Sequence, residues 1–373
     1  MSRSQPRILF AGGGTGGHLY PALAIANEVK KLARGAEVLF VGTKDKIEAR
    51  IVPQSGYRFA AIWIGGFHRT WRLENLLVPV KVIVSLIQSA MLVRQFRPDV
   101  AIGTGGYACG PVLYAASMLG VPTAVHESNS YPGLTTMLLA RRATVMYTAF
   151  DETASWLKRR DNIRLVGTPT REQLDLGKKK EAMKFFHLNP RKRTVLIFGG
   201  SLGARSINAA AGILVESLKR LNAQLLWQTG PAEYERLKLR FTGRNVGWMG
   251  PYIDRMDLAY AAADLAVSRS GATTIAEITR LGKPAVLVPY PHAAADHQTF
   301  NARYLQARGA AVLVTDGDVS ARLTDIVARL LNDTRARSRM ARASRSLGKP
   351  DAAKVVAKSL LALAGFAPAR GGT

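Results

Sequence analysis

Residues 12–18 read Gly-Gly-Gly-Thr-Gly-Gly-His, between the apolar run Ile8-Leu9-Phe10-Ala11 and the segment Leu19-Tyr20-Pro21. Five of the six residues before the histidine have no side chain, so something must pass close to the backbone there. A buried strand that runs through glycines into a helix presents backbone N–H groups and the helix N-terminus to an anion, typically phosphate. The dipole contributes about 0.3–1 kcal/mol, or roughly 2 kcal/mol when partly buried, so hydrogen bonds must add the rest. The same device recurs at Val195-Leu196-Ile197-Phe198 followed by Gly199-Gly200-Ser201-Leu202-Gly203-Ala204. A third glycine-rich loop is Gly103-Thr104-Gly105-Gly106-Tyr107-Ala108-Cys109-Gly110-Pro111. The stretch from Ser268 to Glu277, Ser-Arg-Ser-Gly-Ala-Thr-Thr-Ile-Ala-Glu, starts a helix after a strand, with small and hydroxyl residues where a phosphate or sugar could approach. Glu277 then stands about two turns into that helix, placed to grip a ribose diol.

Two other chemistries fit parts of this pattern less well. Gly12, Gly14 and Gly17 satisfy the glycine spacing of dinucleotide folds, but that fingerprint expects an acid at the end of the second strand, where this chain has Val38-Leu39-Phe40-Val41. A nicotinamide or flavin enzyme is therefore disfavoured. Asp316-Gly317-Asp318 matches the acidic triplet of metal-dependent glycosyltransferases. It falls between a strand and a helix, where Asp and Gly are ordinary turn and capping residues, so no metal is expected. Cys109 reads as a small packing residue rather than a nucleophile.

Short apolar runs alternate with helical patterns from end to end, which predicts repeated βα units and parallel sheets. Strands are expected over 7–11, 37–41, 100–102, 122–125 and 144–147, then over 194–198, 224–228, 246–248, 265–268, 285–289 and 311–314. Between the halves, residues 167–193 carry Pro169, Gly177, Pro190 and two basic clusters without a strong buried strand. The expected organisation is an N-terminal α/β domain over 1–166, a linker over 167–193, a second α/β domain over 194–349, and a final helix within 350–373 that crosses back to the first domain. Each half reads as a doubly wound sheet, which binds ligands at the carboxyl ends of its strands.

A chain of 373 residues exceeds one ordinary core and fits two domains. The net charge of +26 implies an anionic partner: nucleic acid, a membrane surface or a phosphorylated substrate. Neither zinc-ligand spacing nor an RNA-recognition signature is visible, so nucleic acid is disfavoured. A single cysteine excludes an internal disulfide and a cysteine metal cluster, as in a reducing compartment such as the cytoplasm. The four-residue apolar run near the N-terminus is too short for a signal-peptide core.

Taken together and in order, GGGTGGH, GTGGYACGP, HESN at 126–129, GGSLGA, SRSGATTIAE, and the DHQ of 296–298 followed by Asn301-Ala302 resemble the MurG family of peptidoglycan glycosyltransferases, over nearly the whole chain. The resemblance implies a GT-B fold, two Rossmann-like domains facing across a cleft, with the sugar nucleotide held mainly by the C-terminal domain and the acceptor by the N-terminal one. It implies transfer of N-acetylglucosamine from UDP-N-acetylglucosamine to an undecaprenyl-pyrophosphate-linked muramyl-pentapeptide, without a cofactor. It carries the donor contacts onto Thr15, Gly16, Gly17, Asn129, Arg171, Ser201, Ile253, Ala272, Thr273, Thr274, Ile275, Ala276, Glu277 and Gln298. Arg171 and Ser201 would serve the diphosphate, the Ile253 backbone would read uracil, and Glu277 would hold the ribose. Asn129 and Gln298 would read sugar hydroxyls, although the sequence leaves His297 open as the reader in place of Gln298. Thr168 stands before Pro169 where the family pattern has asparagine. The acceptor-side loops would be those of Gly14, Gly105, Gly106 and Tyr107.

Inverting transfer from an α-linked nucleotide sugar needs a base for the acceptor hydroxyl and N–H or positive groups for the departing diphosphate. His18 is the first candidate base, with His126 and Glu127 at a strand end as second candidates. Other readings are a GT-B transferase for another lipid acceptor, such as a diacylglycerol or sterol, and a catalytically inactive module that binds UDP-sugar or membrane. The lipid acceptor implies peripheral attachment to the cytoplasmic face of the plasma membrane, with cell-wall and division proteins as further partners. The segment from Asn75 to Phe96 carries Leu76, Val80, Ile83, Val84 and Ile87 on one helical face, with Phe67 and Trp71 before it and Arg69, Arg72 and Lys81 nearby. Core packing is the commoner use of such a stripe; docking on anionic lipid, aided by Arg141 and Arg142, is the use expected here.

Overall fold

The computed structural model describes residues 5–65, 78–170, 174, 179–241, 244 and 246–366. The chain forms two compact units, Met1–Arg171 with Pro350–Thr373, and Glu172–Lys349.

The first unit opens with β1 (Arg7–Ala11), α1 (Gly16–Leu32), β2 (Glu37–Gly42), α2 (Ile47–Gln54) and β3 (Arg58–Ala61). It continues with α3 (Val78–Phe96), β4 (Val100–Gly103), α4 (Cys109–Met118), β5 (Thr123–Glu127), α5 (Leu134–Ala140), β6 (Val145–Thr148) and β7 (Ile163–Leu165). The seven strands lie in the order β3-β2-β1-β4-β5-β6-β7, and every neighbouring pair is parallel. The order reverses at β1 and β4, the switch point where such sheets bind ligands. β1 is buried from Ile8 to Ala11, as a strand covered by helices on both faces must be.

The second unit contains α6 (Lys179–Phe185), β8 (Arg193–Phe198), α7 (Arg205–Val215), β9 (Ala223–Gln228), α8 (Pro231–Phe241), β10 (Gly247–Gly250), α9 (Met256–Ala262) and β11 (Leu265–Ser268). It ends with α10 (Ala272–Leu281), β12 (Ala285–Leu287), α11 (His297–Ala307), β13 (Val312–Leu313), α12 (Val319–Asn332) and α13 (Thr334–Leu347). Its six-stranded parallel sheet has the order β10-β9-β8-β11-β12-β13, with the switch point at β8 and β11. Part of the stretch expected as linker is therefore built into this unit: α6 packs against α9, and Lys179 Nζ donates to Asp264 at 2.7 Å.

The last helix, α14 (Ala352–Leu363), belongs to the first unit. Its Val356, Ala357, Leu360 and Leu361 share a core with Leu19, Ala22, Ile25, Ala26 and Val29 of α1. That packing holds α1 from behind and so fixes the loop at its N-terminus.

Strands β3 and β7 escaped the sequence reading. Both are sheet edges, partly exposed, with Arg58 in one and Arg164 in the other, and so lack the continuous apolar run of a central strand. In α3 the apolar stripe is the exposed face. Ser85, Ser89, Val93 and Phe96 are the buried residues, whereas Val80, Ile83, Ile87 and Met91 are exposed at 48%, 59%, 57% and 63%. The serines tolerate burial because their hydroxyls donate to backbone carbonyls of their own helix, Ser85 to Val82 at 2.8 Å and Ser89 to Ser85 at 2.6 Å. Phe67, Arg69, Trp71, Arg72 and Leu76 lie outside the described residues.

Candidate active site

In the first unit, the loop from β1 to α1 is held by its neighbours before any ligand is considered. Gly12 N–H donates to Val41 and Gly13 N–H to Gly105, at 3.2 and 3.4 Å. Gly13 and Gly14 have φ of +149° and +82°, in the range that favours glycine. A side chain on Gly13 would land on the Glu48 carboxyl group, one on Gly106 would land on the Gly13 carbonyl, and one on Gly105 would come within 2.8 Å of His18 Nε2. These three glycines admit protein groups. Gly14 is different, since nothing lies within 4 Å of its missing Cβ. Beside it, Thr15 caps α1, and Gly16 and Gly17 form the first positions of that helix, whose leading N–H groups have no helical partner.

His18 points its Nδ1 at the Gly13 carbonyl, 3.1 Å away, with Thr15 Oγ1 at 3.4 Å. A carbonyl can only accept, so Nδ1 carries the proton and the neutral ring presents an electron pair at Nε2. Thr104 Oγ1 donates to the His18 carbonyl at 2.9 Å, tying α1 to the loop after β4. That loop is pinned by Cys109, whose Sγ–H lies 3.0 Å from the carbonyls of both Ala11 and Gly105. Burial pushes this thiol up to about 12, so it is no thiolate nucleophile. Tyr107 at the tip of the same loop is exposed.

The second candidates for the base are committed elsewhere. His126 is buried, its Nε2 donating to the Gly167 carbonyl at 2.9 Å and its Nδ1 accepting from Ser128 Oγ at 3.2 Å. Burial lowers its pKa below the usual value and keeps the ring neutral. Glu127 takes both the backbone and side-chain N–H of Asn129 at 3.0 Å, the Gly133 N–H at 3.1 Å and the Thr136 hydroxyl at 2.7 Å. With both oxygens engaged, Glu127 organises the loop 128–133 and aims Asn129.

In the second unit, Gly200 has φ +91° and open space about its missing Cβ, while Gly203 backs directly onto the Thr229 carbonyl. Ser201 stands exposed between them. Gln228, at the end of β9, donates from Nε2 to the Gly200 carbonyl at 2.8 Å and accepts the Ile253 N–H at Oε1, 2.9 Å away. Ile253 is thus fixed, with its N–H already engaged. Gln228 had no signal in the sequence, where it reads as the last residue of a strand.

Gly271 caps α10, and Ala272, Thr273, Thr274, Ile275 and Ala276 form the first turns. Thr273 Oγ1 is buried without a hydrogen-bond partner among the described residues. Glu277 is buried at 4% exposure and accepts from Tyr260 Oη at 3.0 Å, so it is no solvated surface acid. Gln298, in the first turn of α11, accepts the Tyr290 N–H at Oε1, 3.0 Å away, and so keeps its amide N–H groups available as donors. The neighbouring His297 donates Nδ1–H to the Ala294 carbonyl at 2.6 Å. Arg171 lies outside the described residues.

The acidic triplet is built into this same face. Asp316 Oδ1 lies 2.5 Å from both Arg269 Nη1 and Ser206 Oγ, and Arg269 also donates to the carbonyls of Val288 and Pro289. Asp318 Oδ2 accepts from Thr315 Oγ1 at 2.7 Å at the start of α12. Both acids therefore serve loop geometry. Among the described residues, no group of three His, Cys, Asp or Glu could hold a metal ion.

Two doubly wound parallel sheets, each with a glycine loop at its switch point, define the two-domain GT-B class of glycosyltransferases. Residues 8–148 match the glycosyltransferase family 28 N-terminal domain and residues 194–356 the family 28 C-terminal domain; the chain belongs to that family. It is 44% identical over 365 residues to the UDP-N-acetylglucosamine--N-acetylmuramyl-(pentapeptide) pyrophosphoryl-undecaprenol N-acetylglucosamine transferase of Salinibacter ruber, covering 98% of each chain. The transferase of the same name from Flavobacterium psychrophilum is 40% identical, over 96% of this chain and 98% of its own. Among solved structures, Acinetobacter baumannii MurG superposes with a TM-score of 0.77 at 28% identity, covering 96% of this chain and 99% of that one.

Proposed function

We propose that the chain transfers N-acetylglucosamine from UDP-N-acetylglucosamine to the muramyl 4-hydroxyl of the undecaprenyl-pyrophosphate-linked muramyl-pentapeptide, with inversion. The observation that carries the chemical part is the placing of His18 Nδ1 3.1 Å from the Gly13 carbonyl. With Nδ1–H given to the Gly13 carbonyl, Nε2 is the ring's acceptor. In the transfer, the acceptor oxygen loses its proton to Nε2 and forms the new bond at the sugar's anomeric carbon, while the bond from that carbon to the diphosphate oxygen breaks. UDP leaves with the bonding electrons. Its added charge meets the N-terminus of α10, with Arg171 and Ser201 as further donors. Glu277 grips the ribose, the Ile253 carbonyl accepts from the uracil ring N–H, and Asn129 and Gln298 bind sugar hydroxyls.

The test is UDP release from UDP-N-acetylglucosamine with and without a short-chain analogue of the acceptor, in EDTA. Acceptor-dependent release with a disaccharide product is expected. UDP binding without release would point to another lipid acceptor or an inactive module, and failure to bind UDP would remove the reading.

The same reading places the chain peripherally on the cytoplasmic face of the plasma membrane. Support comes from α3, which is long and apolar enough to cross a membrane yet packs its serine face on α4 and leaves Val80, Ile83, Ile87 and Met91 exposed. Lys81, over the Trp63 ring at 5.6 Å, adds charge near this face, and each basic residue close to anionic lipid contributes about 1 kcal/mol. Vesicles rich in anionic lipid should retain the protein at low salt, and Ile83→Lys with Ile87→Lys should release it. Equal recovery of both proteins from the vesicles would sink this attachment.

A further inference from the structure

The base assigned to His18 rests on one peptide group, and that group has a second partner. The carbonyl of the Gly13–Gly14 peptide accepts from His18 Nδ1 at 3.1 Å; the N–H of the same peptide donates to Glu48 Oε2 at 2.8 Å. Glu48 lies in α2, 34 residues along the chain from Gly14, and is 1% exposed. Its other oxygen accepts the Thr43 N–H at 3.0 Å and the Thr43 hydroxyl at 2.7 Å, which aims Oε2 at Gly14. Among the described residues, no cation pairs with this buried carboxylate. Burying a charge without a counter-ion is costly, and here hydrogen bonds to both carboxylate oxygens offset part of that cost.

We infer that Glu48 is a positioning residue for the transfer, acting on His18 through the Gly13–Gly14 peptide, and this rests on His18 being the base. A peptide is a resonant group, so a negative charge drawing on its N–H raises the electron density on its carbonyl oxygen. That oxygen then holds the Nδ1 proton more firmly, locks the tautomer with Nε2 as acceptor, and stabilises the imidazolium formed when Nε2 takes the proton. The arrangement does through one peptide what a carboxylate on Nδ1 does directly in serine proteases. It also accounts for the glycines: side chains at 13, 105 or 106 would strike, in turn, the carboxylate, the imidazole or the shared carbonyl. Among the described residues, the titratable groups around this assembly include Glu48 from α2, Cys109 from α4, whose thiol stays protonated in its buried site, and His126 from β5, whose ring is held neutral by burial.

The test uses the full chain, with His18 followed by ¹⁵N NMR across pH and assigned by its loss in His18→Ala. In the native protein, the Gly14 amide proton should report His18 titration. In Glu48→Gln, that coupling should vanish and the Nδ1–H tautomer should lose population, because the charge that favours a proton on Nδ1 is gone. The acid limb of kcat should move to lower pH, because the imidazolium has lost a stabilising negative charge. Its plateau should fall about tenfold, less than the ~10⁴ of a direct carboxylate partner, with donor KM unchanged. Glu48→Asp, which keeps the charge, should recover most of the native pH profile. A folded Glu48→Gln protein with an unaltered His18 tautomer and an unaltered pH profile would overturn the relay. Full turnover by His18→Ala would instead remove the base assignment, while the NMR coupling would still be visible in the native chain.

Discussion

The two units place a glycine loop at the same point of the same kind of sheet, yet they surround it with opposite electrostatics. Beneath the first loop, Glu48 has no cation as partner among the described residues and takes the Gly14 N–H. Beside the second, Asp316 is paired to Arg269, and the amide of the neutral Gln228 holds the Gly200 carbonyl. The first loop is thus poor ground for a second negative charge at Gly14 and good ground for a base. The second, with its acid neutralised and the α10 N-terminus nearby in the same sheet topology, suits a diphosphate. A shared loop motif tells where a ligand approaches; the group behind the loop decides what chemistry it meets.

This contrast can be broken from either side. The largest effect is expected at His18. His18→Ala should cut turnover by about two orders of magnitude, the usual share of a general base, with little change in UDP binding measured by calorimetry. Weakened UDP binding at intact turnover would place His18 with the donor instead and erase the division of labour. A smaller effect is expected from Asp316→Ala, which leaves the largely buried Arg269 without its carboxylate and unpins the β8, β11 and β12 loops from one another. Donor KM should rise about tenfold and unfolding should become easier by about 2 kcal/mol, as when one partner of a partly buried pair is removed. Native donor KM in a destabilised Asp316→Ala protein would show that the pair holds the fold and not the donor loops.

Much of this was open to sequence reasoning. Central strands such as β1 and β8 announce themselves by unbroken apolar runs ending in glycine, and the ordered motifs of both halves carry the family. The edge strands β3 and β7 do not, because half-exposed strands with an arginine lose the pattern that burial on both faces imposes. Helix α3 shows a different limit. Its apolar periodicity is real, but periodicity marks a face without saying whether protein or another medium covers it, and here the serine face is the buried one. Glu48 sits in the polar run Lys44-Asp45-Lys46-Ile47-Glu48, where charge reads as surface.

The sequence by itself determined the two parallel sheets, the glycine loops at their strand ends and the family, because strand burial and helix entry depend on residues adjacent in the chain. Only the tertiary structure decided what stands behind each loop. Gly14 meets Glu48 across 34 residues and Ser206 meets Asp316 across 110. Contacts of that range arise from how helices dock on a finished sheet, and docking is what turns an ordinary glutamate into a buried carboxylate aimed at one peptide.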